Sequence, residues 1–175
     1  MTIFGPLSRT VALAGLLVSM GAGAAPALAA PADVALLKSY IGDWRGRGTL
    51  TGAETETVVC RLSLKDGNDD KVNYSGRCTL AGSNLAINGT LAYIDASRRF
   101  EAAMTTNATF TGIAVGQKRG RGLLFNLRER DKDEEGKEVS ITADIMLTDE
   151  AIDVAFEVVY VETGESLRAE VPFTK

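Results

Sequence analysis

The chain has 175 residues and is mildly acidic, with 23 Asp and Glu against 19 Lys and Arg, and it contains no histidine. Without imidazole there is no Ser-His-Asp triad, no Cys-His dyad and no ordinary histidine metal centre. The negative balance disfavours nucleic acid or an anionic membrane surface as a partner.

In chain order, the first segment reads as a secretory leader over residues 1–29. Arg9 lies in a short basic region, Val11 to Met20 is almost wholly apolar, and small residues end in Ala27-Leu28-Ala29-Ala30. The apolar core is about ten residues, too short to cross roughly 30 Å of hydrocarbon as a helix. Cleavage is expected after Ala29, because a cut after Ala30 would leave Pro31 beside it. The mature chain, 30–175, is then expected to be one domain, periplasmic or secreted, with no integral membrane segment.

Ala32 to Tyr40 is the one helical stretch. Val34, Leu37 and Ile41 recur at helical spacing, Leu36 widens the stripe and Gly42 ends it. From Asp43 onward the period is two. Val58, Cys60, Leu62 and Leu64 share one face, the turn residues Asp66-Gly67-Asn68-Asp69-Asp70 follow, and Val72, Tyr74, Gly76, Cys78 and Leu80 alternate next. A hairpin centred on Asp69 places Cys60 opposite Cys78, so the two thiols of an exported chain are predicted to form a cross-strand disulfide.

The alternation continues through Leu85, Ile87, Gly89, Leu91 and Tyr93, then Phe100, Ala102 and Met104. Ala108 to Gly116 is ambiguous, with apolar residues on both faces. Leu123, Phe125 and Leu127 follow; then Val139 to Leu147, Ile152 to Tyr160, and Leu167 to Phe173. Turn signals at intervals of roughly ten residues, with no helices between, predict an all-β fold. We expect an antiparallel up-and-down β-barrel of about ten strands with a short N-terminal helix, closed so that no sheet edge is left. Pro172 falls near the end of the last strand, where a missing N–H costs least. The tetrapeptide RGRG occurs at Arg45–Gly48 and at Arg119–Gly122; in an acidic, exported chain it reads as glycines at barrel corners with arginines facing solvent rather than as a nucleic-acid segment.

The residues Leu36-Leu37 and Ile41-Gly42-Asp43-Trp44-Arg45-Gly46-Arg47-Gly48 resemble the opening of calycin-type barrels. These include the lipocalins, fatty-acid-binding proteins and nitrobindin-like domains, and the G-x-W-x-G-x-G spacing is closest to the last. The resemblance implies that Trp44 closes one end of the barrel. Nitrobindin-like domains hold haem through a histidine, which this chain lacks, so the haem function does not carry over and no cofactor is expected. Small periplasmic inhibitors of metalloproteases are similar more loosely, and Ala30 to Asp33 would be at most a short inhibitory arm.

The carboxylates form no catalytic constellation. Asp131, Asp133, Glu134 and Glu135 read as a solvated hairpin tip, and the Asp66–Asp70 loop lacks the later bidentate Glu of a calcium loop. Asp144, Asp153 and Glu157 fall on the polar faces of their strands and are expected to point outward. We therefore expect no catalytic and no metal-binding residues. The functional lead is the apolar face. Trp44, Tyr74, Tyr93, Phe110, Phe125 and Phe156, with Tyr160, are the candidates for binding a small apolar or amphipathic molecule. Gly76, Gly89, Ala102, Ala143 and Ala169 lie among them, either leaving a cavity or interlocking with the large side chains. The alternative function is an envelope interaction module, such as a protease inhibitor or assembly factor, whose protein partner is unspecified.

Overall fold

The computed structural model describes residues 31–175 except 81, 109 and 134. The expected leader, 1–29, lies outside the described residues. A single helix, α1 (Pro31–Ser39), precedes ten strands. These are β1 (Gly42–Thr51), β2 (Thr55–Asp66), β3 (Val72–Leu80), β4 (Ser83–Ile94), β5 (Arg99–Thr106), β6 (Thr111–Arg119), β7 (Gly122–Lys132), β8 (Glu138–Leu147), β9 (Ala151–Tyr160) and β10 (Ser166–Thr174). Each pairs antiparallel with the next, and β10 returns to β1, closing the barrel. The all-β, up-and-down architecture is thus the one the period of two demands. Each strand has one apolar face, and closure gives those faces a common inside while pairing both edges.

The hairpin register places Cys60 opposite Cys78, with Cα atoms 4.1 Å apart and the sulfurs joined. The helix starts one residue earlier than its periodicity suggests, because Pro31 fits the first helical position, where its missing N–H is no loss. It also ends one residue earlier. The Tyr40 and Ile41 amides reach back to the Leu37 and Lys38 carbonyls, and Gly42, at φ +148°, swings the chain into β1.

The two RGRG copies serve different local needs, which corrects the expectation that both mark barrel corners. In β1, Arg45 and Arg47 face solvent, while Gly46 lies beneath Val171 and Phe173 and Gly48 against the Glu170 main chain. No side chain fits there, so this copy is a close approach of β1 to β10. The second copy is the two-residue turn between β6 and β7, with Gly120 at φ +61° in its first central position. Pro172 sits where the β1–β10 ladder is interrupted between Gly46↔Phe173 and Thr49↔Glu170, so its lack of an N–H breaks no pair there.

The ambiguous stretch resolves with its small residues inside. Gly112, Ala114 and Gly116 face the interior, and Ile113 and Val115 face solvent at 52% and 40% exposure. The space inside is already taken: the Phe125 and Phe100 side chains occupy the volume a Cβ at Gly116 would need.

The barrel has two unlike ends. The lower end carries α1, the C-terminus and the β2–β3, β4–β5, β6–β7 and β8–β9 turns. There Leu37 and Tyr40 pack onto Trp44, Leu64, Val72, Leu91, Phe100, Leu123, Phe125, Leu147, Ile152 and Phe173, all of them buried. Charges pin the helix in place. Asp33 meets Lys118 of β6 at 2.5 Å, in an ion pair not aligned as a directed hydrogen bond, and Lys38 lies 3.2 Å from both Asp66 and Asp70.

Candidate functional site

The upper end is different. Strand register fixes which side chains face inward, and many of these stay only half-buried. On one wall they are Leu80, Leu85, Ile87, Met104 and Phe110, from β3, β4, β5 and the residue before β6. On the other they are Val154, Phe156, Val158, Tyr160 and Ala169, from β9 and β10. In the ring order β4 and β9 lie five strands apart and face each other. These side chains point inward and keep some contact with solvent. Between the walls, Leu50, Val58, Leu127, Val139, Ile141 and Ala143 are buried.

The six candidate residues do not form one cluster. Trp44 and Phe125 belong to the sealed lower end, each about 1% exposed. The Trp44 indole Nε1–H donates to the Tyr40 carbonyl at 3.0 Å, and the Lys175 ammonium sits 4.8 Å above its ring. Tyr93 is half-buried near the same end and packs edge-on against Phe100, with ring centroids 5.0 Å apart. Tyr74 lies opposite Leu64 toward the lower end, while Phe110 and Phe156 are inward and half-buried at the upper end.

Several small residues interlock with these rings. The Tyr74 ring crosses the place a Gly89 side chain would take, and the Phe110 ring does the same over Gly112. Tyr74 Oη–H donates to the Ala103 carbonyl at 3.0 Å, so its proton is already committed, and burial holds its pKa well above the ordinary tyrosine value. Tyr40 is the opposite case. Its hydroxyl is fully buried and has no hydrogen-bond partner among the described residues. Burial, with a smaller contribution from Asp149, pushes its pKa up to about 12.

Most charged side chains follow the alternation outward; Glu56, Glu129 and Asp131, and Lys118 at the lower end, fall on inward positions. Asp144, Asp153 and Glu157 occupy outward positions. The carboxylates of the two acidic loops make protein contacts: Lys38 lies between Asp66 and Asp70, and Asp133 accepts the Glu135 and Lys137 amides. Glu129, which the sequence reading passed over, continues the inward row Leu123, Phe125, Leu127 and lies opposite Ile141. The alternation could have found it, but the charged run Arg128 to Lys132 hid the last turn of the strand. Two clefts also lie on the outside of the barrel. One is bounded by Asn73, Thr90, Ala92, Glu101 and Ala103 beneath the β2–β3 turn, the other by Arg119, Arg121, Met146 and Asp149 at the lower end.

The described residues form a ten-stranded closed antiparallel barrel with one short helix. A solved structure with this fold is Rv2717c from M. tuberculosis, 14% identical, with a TM-score of 0.63 over 81% of this chain and 96% of that one. The S-type phycobiliprotein lyase CPES from Guillardia theta is 11% identical, with a TM-score of 0.49 over 78% of this chain and 88% of that one. The first likeness is one of fold. No protein-family model and no curated protein sequence matches the chain. Among the described residues, no helix is long and apolar enough to cross a membrane.

Proposed function

We propose that this is an exported, non-enzymatic barrel that binds a small apolar or amphipathic molecule in the upper half of its lumen. One observation carries the reading: apolar side chains on two facing walls point inward and yet remain half-buried, while the same faces near α1 are sealed. A ligand entering between Ile87, Met104 and Phe110 on one side and Phe156, Val158 and Ala169 on the other would bury that surface. Each Å² of apolar area removed from water contributes about 25 cal/mol. The disulfide and the leader-like N-terminus support export to an oxidising compartment, the periplasm or beyond. The opening around Trp44 supports a nitrobindin-like ancestry without the haem chemistry, since the chain has no histidine.

The test is native mass spectrometry of the mature protein purified without detergent, paired with titration of an apolar fluorescent probe. We expect a co-purified small molecule, and loss of probe binding in Ala169→Trp, which fills the lumen. Unchanged probe affinity in a folded Ala169→Trp protein would remove the lumen from consideration. A second reading, an envelope interaction module, is favoured by the exposed Ile113 and Val115 on the outer wall. Specific capture of one envelope protein by a photoreactive group at position 113 would support it.

A further inference from the structure

The lumen proposed above is apolar but not neutral. Of the inward-facing strand positions in its upper half, Glu56, Glu129 and Asp131 carry charge, and none is Lys or Arg among the described residues. The inward-facing cations lie at the other end, where Lys118 pairs with Asp33 and Lys175 covers Trp44. Glu129 lies deeper along β7 than Asp131, whose carboxylate accepts the Lys132 amide. It sits beside Leu127 and opposite Ile141, both buried, and has no hydrogen-bond or ion-pair partner among the described residues. Its neighbours Arg128 and Arg130 are exposed and face the other way.

The backbone adds to this. The β6–β7 ladder runs from Arg119↔Gly122 to Val115↔Asn126 and goes no further, although β7 continues to Lys132 paired with β8. Glu129 therefore stands where the barrel wall has no ladder partner on its β6 side. The result is a carboxylate beside a stretch of wall without ladder pairing, with Asp131 above it on the same strand.

We infer that Glu129 sets the charge preference of the lumen, which takes an apolar chain or ring bearing a cationic head, such as a protonated amine or quaternary ammonium, and rejects carboxylate amphiphiles. This rests on the lumen-binding reading. A carboxylate half-removed from water with no protein counter-charge gains from a ligand cation within a few ångströms, and an anionic head at the same place is repelled.

The experiment compares dodecyltrimethylammonium, dodecanol and dodecanoate, each below its micelle concentration, by isothermal calorimetry on the mature protein. Glu129→Gln is set against Glu157→Gln, which removes the same charge from the outer face. We expect the cation to bind most tightly and Glu129→Gln to weaken it about tenfold while leaving dodecanol unchanged. Glu157→Gln should change none of the three. Equal binding of the cation and dodecanoate, or equal losses in the two variants, would overturn the charge preference while dodecanol binding still upholds the lumen. Failure of all three to bind would overturn the lumen reading, and the role of Glu129 with it.

Discussion

The lower and upper ends of this barrel are made from the same alternating strands, yet only one of them is sealed. At the lower end α1 lies across the opening, Leu37 and Tyr40 descend onto Trp44, and the aromatic rings fill the spaces above Gly46 and Gly116. At the upper end no element among the described residues covers Phe156, Val158 or Met104, and they remain half-buried. The difference shows that alternation alone makes a wall. Whether that wall encloses a packed core or an accessible lumen depends on what is laid over its end.

The comparison breaks or sharpens most clearly through the aromatic residues of each end. Trp44→Ala should cost about 3–5 kcal/mol in urea unfolding, since it empties a sealed site and removes the Tyr40 carbonyl's indole donor. Phe156→Ala should cost only about 1–2 kcal/mol, because part of its surface is already exposed, while weakening probe binding. Equal costs would mean the two ends are packed alike.

Loss of the Cys60–Cys78 bridge in a double serine variant should cost about 3 kcal/mol in the same measurement, from the freed loop between residues 18 apart in sequence. Much of this effect should also appear on reducing the wild-type protein.

Tyr40→Phe should raise stability at neutral pH by about 1 kcal/mol, because it removes a buried hydroxyl that has no partner. The alkaline limb gives a second readout. The folded-state pKa of Tyr40 is raised from 10.0 to about 12, so the folded protein holds this proton more tightly than the unfolded chain. Its stabilising contribution is complete below pH 10 and is lost as the pH rises through about 12. Melting temperatures of wild type and Tyr40→Phe, followed across that window, should show a shallower decline in the variant. The smallest effect belongs to the outer wall: Ile113→Ser should change stability by no more than about 0.5 kcal/mol, as that side chain already faces water.

Much of the fold is legible in the residues themselves. The even-numbered run from Val58 to Leu64, the turn at Asp69 and the odd-numbered run from Leu85 to Tyr93 fix strand faces and hairpin register, and register alone brings Cys60 to Cys78. The candidate site was less legible. Trp44, Phe125 and Phe156 look alike as inward aromatics, but two are fully buried at the lower end and one is half-buried at the upper, because height along the barrel depends on strands far apart in sequence. Glu129 was hidden because a charged run reads as a loop until β8 is seen paired along its full length.

The sequence by itself determined the alternation, the turns, the disulfide and the absence of imidazole chemistry, since each depends on residues near one another or on composition. Packing in three dimensions settled that Gly112, Ala114 and Gly116 face inward while Ile113 and Val115 face out, that α1 lies over one end, and that Glu129 holds an inward strand position at the other. Those outcomes depend on which volumes are already filled by side chains from distant strands, and local periodicity carries no information about that.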